Sequence, residues 1–166
     1  MIDKFLIEEV FEKFAHFFQK WTGLDNFFLA RVAATLSLLV HIAGKVTCGY
    51  WTPFTPIIML AQTFMIFFYI PSVERRVKGD LGPGYKNFLV VSSPDARRFF
   101  FWMNTINLLI FSTAPSWQFG YHTLSYTLFT CTLYFAACTP KPPSKGKIKE
   151  MLESFTQSWR CEPLPA

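Results

Sequence analysis

The chain has 166 residues, with 16 Lys and Arg against 11 Asp and Glu, and 20 phenylalanines within a 51% hydrophobic composition. The net charge of +5 is not accompanied by any nucleic-acid-binding motif, and its basic residues cluster between apolar runs, so a nucleic-acid partner is excluded in favour of an orientation signal. The four cysteines, Cys48, Cys131, Cys138 and Cys161, form no CxxC pair and no finger spacing, which excludes a disulfide framework or a zinc finger.

From Ile2 to Trp21 the apolar residues Ile2, Phe5, Leu6, Val10, Phe14, Phe17, Phe18 and Trp21 recur at spacings of three, four and seven, with charged residues between them. This pattern predicts an amphipathic helix lying in a membrane interface, on the cytoplasmic side. Asp3, Glu8, Glu9 and Glu12 set it apart from a signal or transit peptide. Gly23 is placed to cap it. Phe5, Phe14, Phe17 and Phe18 are its candidate partner-binding residues, because four phenylalanines on one stripe must find lipid, the rest of the chain or another protein.

Four spans are expected next. Asp25 reads as the N-cap of the first, Asn26 to Gly44, in which Arg31 sits close enough to the end to snorkel. The second runs from about Phe54 to Ile70 and is expected to stop at Pro71. A basic connection follows, bounded as 72–98 and holding Arg75, Arg76, Lys78, Lys86, Arg97 and Arg98, with Gly79, Gly82, Pro83 and Gly84 breaking regular structure at its centre. Ser93-Pro94-Asp95 reads as the start of the third span, Phe99 to about Ser112. A short uncharged turn around Pro115 leads into the fourth, Tyr121 to Thr139. From Ser144, Ile148, Met151, Leu152, Phe155 and Trp159 at helical spacing predict a second amphipathic helix.

The fold class read from this pattern is all-α: a polytopic four-helix transmembrane bundle with amphipathic interfacial helices at both ends. Its parts are an N-terminal helix (1–23), the bundle (24–140) and a tail (141–166). Four spans bring both termini and the 72–98 connection to one side, leaving only Lys45 on the other, so the positive-inside rule makes that side cytoplasmic or matrix-facing. The expected location is a bacterial or organellar inner membrane.

Chemistry-bearing residues are few. Asn104 and Asn107, three apart, share a face of the third span, and Thr123, Thr127, Thr130 and Tyr134 make a polar stripe on the fourth. The stripes predict interhelical hydrogen bonds or, in the alternative, the lining of a solute path. His41 and His122 fall near the non-cytoplasmic surface with Cys48, and are weak metal candidates. No Walker loop, GxSxG, HExxH or c-type haem motif occurs in the sequence. The function expected is therefore a non-catalytic subunit, without a cofactor, whose partners are the bilayer and either other membrane subunits or copies of itself. A small channel or transporter is the alternative.

Overall fold

A computed structural model describes residues 2–49, 55–77, 94–113, 115–138, 146–148 and 151. The architecture is all-helical, with five helices and no strand among these residues. Helix α1 covers 2–22, with a π turn at Leu6–Phe11 between Ile2–Phe5 and Glu12–Thr22. Helix α2 is Asn26–Cys48. Helix α3 covers 55–77, again with a π turn, Met65–Tyr69, at its middle. Helices α4 and α5 are Pro94–Thr113 and Trp117–Ala137. The centre of the basic connection and most of the expected C-terminal helix lie outside the described residues.

Local chemistry explains the ends. Gly23 takes φ 79°, the left-handed conformation that closes α1, and its N–H donates to Gln19 O. Two residues later the Asp25 carboxylate accepts from Phe28 N at 3.0 Å, capping α2. Pro94 opens α4 as the first helical residue, where a missing N–H costs nothing. Ser116 caps α5 by accepting from Phe119 N at 3.2 Å. The carbonyls at the far end of α5 are satisfied from outside the helix: Asn26 Nδ2 donates to Phe135 O at 2.9 Å and Cys138 O at 3.0 Å.

Helices α2 and α5 are antiparallel along their whole length, because Asn26 meets Phe135, Ser37 meets Ser125, and Gly44 meets Tyr121. Helix α3 runs antiparallel to α2 through Ser37–Gln62 and Arg31–Glu74. Helix α4 packs on α5, with Asn104 against Thr127 and Phe100 against Phe129. The result is an up-down-up-down bundle in which α2 and α5 form the tightest pair. One end gathers Arg31, Arg75, Arg76, Arg97 and Arg98 (the arginine end), and the other carries His41, Lys45 and His122 (the histidine end).

The packing inverts the usual soluble pattern. Small or polar residues fill the centre: Ala30, Ala34, Ser37, Gln62, Ser125, Thr130 and Thr132 are all buried. Large apolar residues face outward instead, with Leu60 71%, Phe67 66%, Leu109 62% and Phe99 57% exposed. Phe27, Met65, Tyr69, Ile70 and Leu133 form a conventional apolar cluster only towards the arginine end.

Two sequence expectations need correcting. First, α3 does not stop at Pro71 but continues to Val77. Proline removes an N–H and crowds the carbonyl four residues back. The wider π turn immediately before it relieves that crowding, and Ser72 Oγ donates to Phe68 O at 2.6 Å. Secondly, Arg31 does not merely snorkel to headgroups, because the extended α3 brings Glu74 into an ion pair with it. The four-span reading is met in part. Two of the described helices, Asn26–Cys48 and Thr55–Arg76, are long and apolar enough to cross a membrane. Helix α4 opens with Asp95, Arg97 and Arg98, and α5 is diluted by hydroxyl side chains, which lowers their mean hydropathy.

Candidate functional site

Most of the polar chemistry inside the bundle sits on α2, α3 and α5, between the middle of the helices and the histidine end. Ser37 and Ser125 face each other across the closest helix pair. Ser37 Oγ donates to Ser125 O at 2.7 Å and Ser125 Oγ donates to Ser37 O at 2.9 Å. Both hydroxyl hydrogens are thereby committed, so each oxygen can only accept further bonds. Gln62 Nε2 supplies them, at 2.9 Å to Ser37 Oγ and 3.1 Å to Ser125 Oγ. The reciprocal serine pair thus fixes which way the Gln62 amide points. Its Oε1 is buried and has no hydrogen-bond partner.

One turn towards the histidine end, His41 is only 6% exposed and its Nε2 also lacks a partner. His41 and Gln62 line a cavity of about 190 Å³ together with Ile58, Ala61, Phe100, His122, Ser125, Tyr126 and Phe129. A second cavity, of about 380 Å³, reaches the histidine end past Lys45, Cys48, Ser116 and Gln118 and shares His41, Ile58 and His122 with the first. The inner cavity exists because α4 leans on α5 rather than on α3, leaving Phe100 opposite Ala61 and Gln62 across a gap.

At the arginine end, α1 is fastened to the bundle. Arg97 Nη2 and Nε donate to Asp3 at 3.0 and 3.4 Å, and both side chains are about nine-tenths buried. Phe11 stacks on Tyr134 with ring centroids 5.0 Å apart and meets Phe135 edge-on at 5.0 Å. Ala15 and Gln19 complete the inward face. In a regular helix Asp3 and Gln19 would diverge around the axis. The π turn inserts a residue and turns the face back by roughly 100°, which keeps the series Asp3, Phe11, Ala15 and Gln19 on one side.

The residues singled out from sequence are distributed as follows. Phe5, Phe14 and Phe17 are exposed and Phe18 is half-buried, so the outer face of α1 carries an apolar stripe with Ile2, Val10 and Trp21. Asn104 Oδ1 accepts from Thr127 Oγ1 at 2.9 Å, an interhelical bond between α4 and α5. Thr130 Oγ1 donates within its own helix to Tyr126 O at 2.9 Å, while the Thr123 hydroxyl is buried without a partner. Asn107 is half-buried, and Tyr134 belongs to the α1 contact rather than to the threonine stripe. None of these stripe residues lines either of the two cavities. His41, His122 and Cys48 line the outer cavity together, but no three His, Cys, Asp or Glu groups among the described residues gather closely enough to hold a metal ion.

Replacing Asn104 by Leu removes one interhelical bond, so a small loss of about 0.6 kcal/mol is expected in a detergent unfolding titration. A loss several times larger would mean that Asn104 serves more than its bond to Thr127.

The serine–glutamine cluster carries no distinct signal in the sequence, because Gln62 adjoins Thr63 and Ser125 is one of many hydroxyl residues in its run. Compared with known protein families, characterised proteins and solved structures, the chain matches none.

Proposed function

We propose that this is a small integral membrane protein whose helices α2–α5 all cross the bilayer, with both termini on the cytoplasmic or matrix side, and that it acts as a non-catalytic assembly subunit of a larger or homo-oligomeric membrane complex. The observation that carries the membrane reading is the inverted packing. A belt of large apolar side chains on α2, α3 and α4 faces outward while alanine, serine and threonine fill the interior. Soluble monomers rarely leave so much apolar surface bare, whereas close helix contact through small residues is how helices associate in lipid.

The span requirement can be met by the two less apolar helices. Helices α4 and α5 have 20 and 21 residues, roughly 30 Å of helix, and the polar groups of α5 are largely turned inward. The five arginines collected at one end, with Lys45 at the other, fit an arginine end facing the cytoplasm. Single cysteines at Lys45 and Arg76, introduced in a cysteine-free background, should react with an impermeant thiol reagent from opposite sides. Labelling from the same side would overturn the topology.

The subunit role is supported by the outward stripe of α1. Once Asp3 is neutralised by Arg97, the rest of the helix balances Glu8, Glu9 and Glu12 against Lys4, Lys13 and Lys20. An anionic lipid surface would therefore gain little from this helix electrostatically. A second membrane subunit with an apolar groove is the better match, since each buried phenylalanine is worth about 1.5–3 kcal/mol. Phe17, 62% exposed, touches Trp21 within the same stripe, so Phe17→Glu should leave the fold intact. It should reduce co-purification of partner subunits, or self-association, at least tenfold in mild detergent. Unchanged recovery of partners and unchanged oligomer size would remove the subunit reading.

A channel or transporter, with a path along Asn104, Asn107, Thr123, Thr127, Thr130 and Tyr134, is the second reading. The buried, unpartnered Thr123 hydroxyl favours it, and the Asn104–Thr127 bond favours helix association. Solute flux into vesicles that disappears with Asn107→Leu would decide for the path.

A further inference from the structure

We propose that the outer cavity, at the histidine end between α2, α3 and α5, binds a small organic monocarboxylate whose charged group sits among Lys45, Ser116, Gln118 and His122. This inference is independent of the subunit role and needs only that the bundle be folded.

Charge selects an anion. Lys45 brings a full positive charge to the lining, and no carboxylate lines the cavity. The surroundings have the same sign. No Asp or Glu occurs from Asn26 to Val73 or from Ala96 to Lys149, and the acids that flank these stretches, Asp25, Glu74 and Asp95, lie at the arginine end. A cationic ligand would meet like charge here, whereas a carboxylate gains a charge-assisted hydrogen bond from the ammonium. Three further donors complete the head site. The Ser116 oxygen already accepts from Phe119 N at 3.2 Å, so its own hydrogen remains to be donated. Gln118 carries amide hydrogens and the His122 ring an N–H. Ser116, Gln118 and His122 are exposed and Lys45 is half-buried, so none of the four is walled off by its neighbours. Four donors match a carboxylate, whose two oxygens offer about four acceptor sites.

Size and wall chemistry set the rest of the molecule. The cavity holds about 380 Å³, within the range of about 300–1,000 Å³ typical of small-molecule sites. A cavity of about 150 Å³ is enough for a benzene, so a halide or other inorganic anion would leave most of this space unfilled. Ile58, Phe119 and Tyr121 form the apolar part of the wall, and the Phe119 ring lies 6.4 Å from that of His122, which sets an aromatic surface beside the head site. A ring or short chain behind the carboxylate therefore fits both halves. A phosphate monoester would bring a second negative charge, for which the lining holds no arginine and no second lysine. Because the rim residues Ser116 and Gln118 are exposed, the ligand enters from the water at the histidine end.

The test uses the full chain purified in a non-ionic detergent, with radiolabelled 2-naphthoate and its neutral isostere 2-naphthamide as probes in equilibrium dialysis. The amide keeps the two rings and the planar head group but loses the charge. Saturable binding of the naphthoate, about tenfold or more tighter than the amide, is expected. Lys45→Met removes the charge from the lining, and should bring the two affinities to within about twofold of each other. Cys48→Phe narrows the cavity from a half-buried position, and should abolish saturable binding of both probes while the melting temperature is retained. Equal affinities in the wild type, no saturable naphthoate binding, a naphthoate preference that survives Lys45→Met, or undiminished binding to folded Cys48→Phe would each overturn the proposal. Should either variant fail to fold, alkylation of Cys48 in the wild type decides in its place: naphthoate should slow it and naphthamide should not, and the absence of that difference would overturn the proposal as well.

Discussion

Arg97→Met should destabilise the protein by about 3–5 kcal/mol, and Asp3→Leu by a comparable amount, whereas the double variant Asp3→Leu/Arg97→Met should recover most of the loss. The pair is a fork, with Nη2 to Oδ2 at 3.0 Å and Nε to Oδ1 at 3.4 Å, on side chains 10% and 7% exposed. At that depth a single substitution does not simply delete an attraction. It leaves the other charge buried without this counter-charge, which is the costly state. Removing both charges leaves apolar side chains of similar reach beside Phe101, Trp102 and Tyr134, which line the adjoining cavity. The same logic assigns a small effect to the other interhelical ion pair. Arg31 is 44% exposed where it meets Glu74, so Arg31→Met should cost about 1 kcal/mol or less. Unfolding titrations of the three single variants and the Asp3/Arg97 double variant check this directly. An Arg97→Met protein as stable as the wild type would mean that α1 is not held to the bundle by this pair.

That pair also shows what the sequence could and could not reveal. Elements governed by nearby residues were legible: the Gly23 cap, the Asp25 cap, the Pro94 start, and the antiparallel pairing that the short turn before α5 imposes on its two helices. The amphipathic character of α1 was legible too, but not which of its faces meets the bundle. Periodicity marks Phe5, Phe14, Phe17 and Phe18 as a stripe to be covered by lipid, the chain or another protein, and the side that meets the bundle is a different one: Asp3, Phe11, Ala15 and Gln19. Two causes combine here. A π turn shifts the phase of the helix and has no propensity signature of its own. The hydrophobic criterion also assumes that the apolar face is the buried one, which fails where the surroundings are themselves apolar. The same failure hid the Ser37–Gln62–Ser125 cluster. Each is one of several polar residues in its own helix, and only the register of three helices against one another makes them a unit. His41 and His122 were noticed as a pair at one end, but the cavity they share depends on α4 standing away from α3, and nothing in either helix encodes that spacing locally.

The second large effect is expected at Gly44, where α2 lies close against Tyr121 of α5. A Cβ built there would lie 2.6 Å from Tyr121 Cβ and 3.0 Å from its Cγ. Tyr121 Cβ is attached to the backbone of α5, so no side-chain rotation relieves the contact and the helices themselves must separate. Gly44→Leu should therefore cost at least the 1–3 kcal/mol typical of overpacking, and should loosen the histidine end, whose outer cavity Gly44 and Tyr121 both line. The more discriminating experiment uses alanine. In an unobstructed helix, Gly→Ala gains up to about 1 kcal/mol from backbone entropy and propensity. Gly120 supplies that control on the opposing helix, since its added Cβ would meet only Phe111 at 3.5 Å, an ordinary contact with a side-chain ring. Gly120→Ala is accordingly expected to be neutral or stabilising, and Gly44→Ala to be destabilising despite the same propensity gain. The opposite signs, read as shifts in the denaturant midpoint at constant slope, isolate the α2–α5 contact from helix propensity. If both alanine variants stabilise the protein equally, the two helices do not pack at the distance described, and the Ser37–Ser125 pair that depends on that distance would not form either.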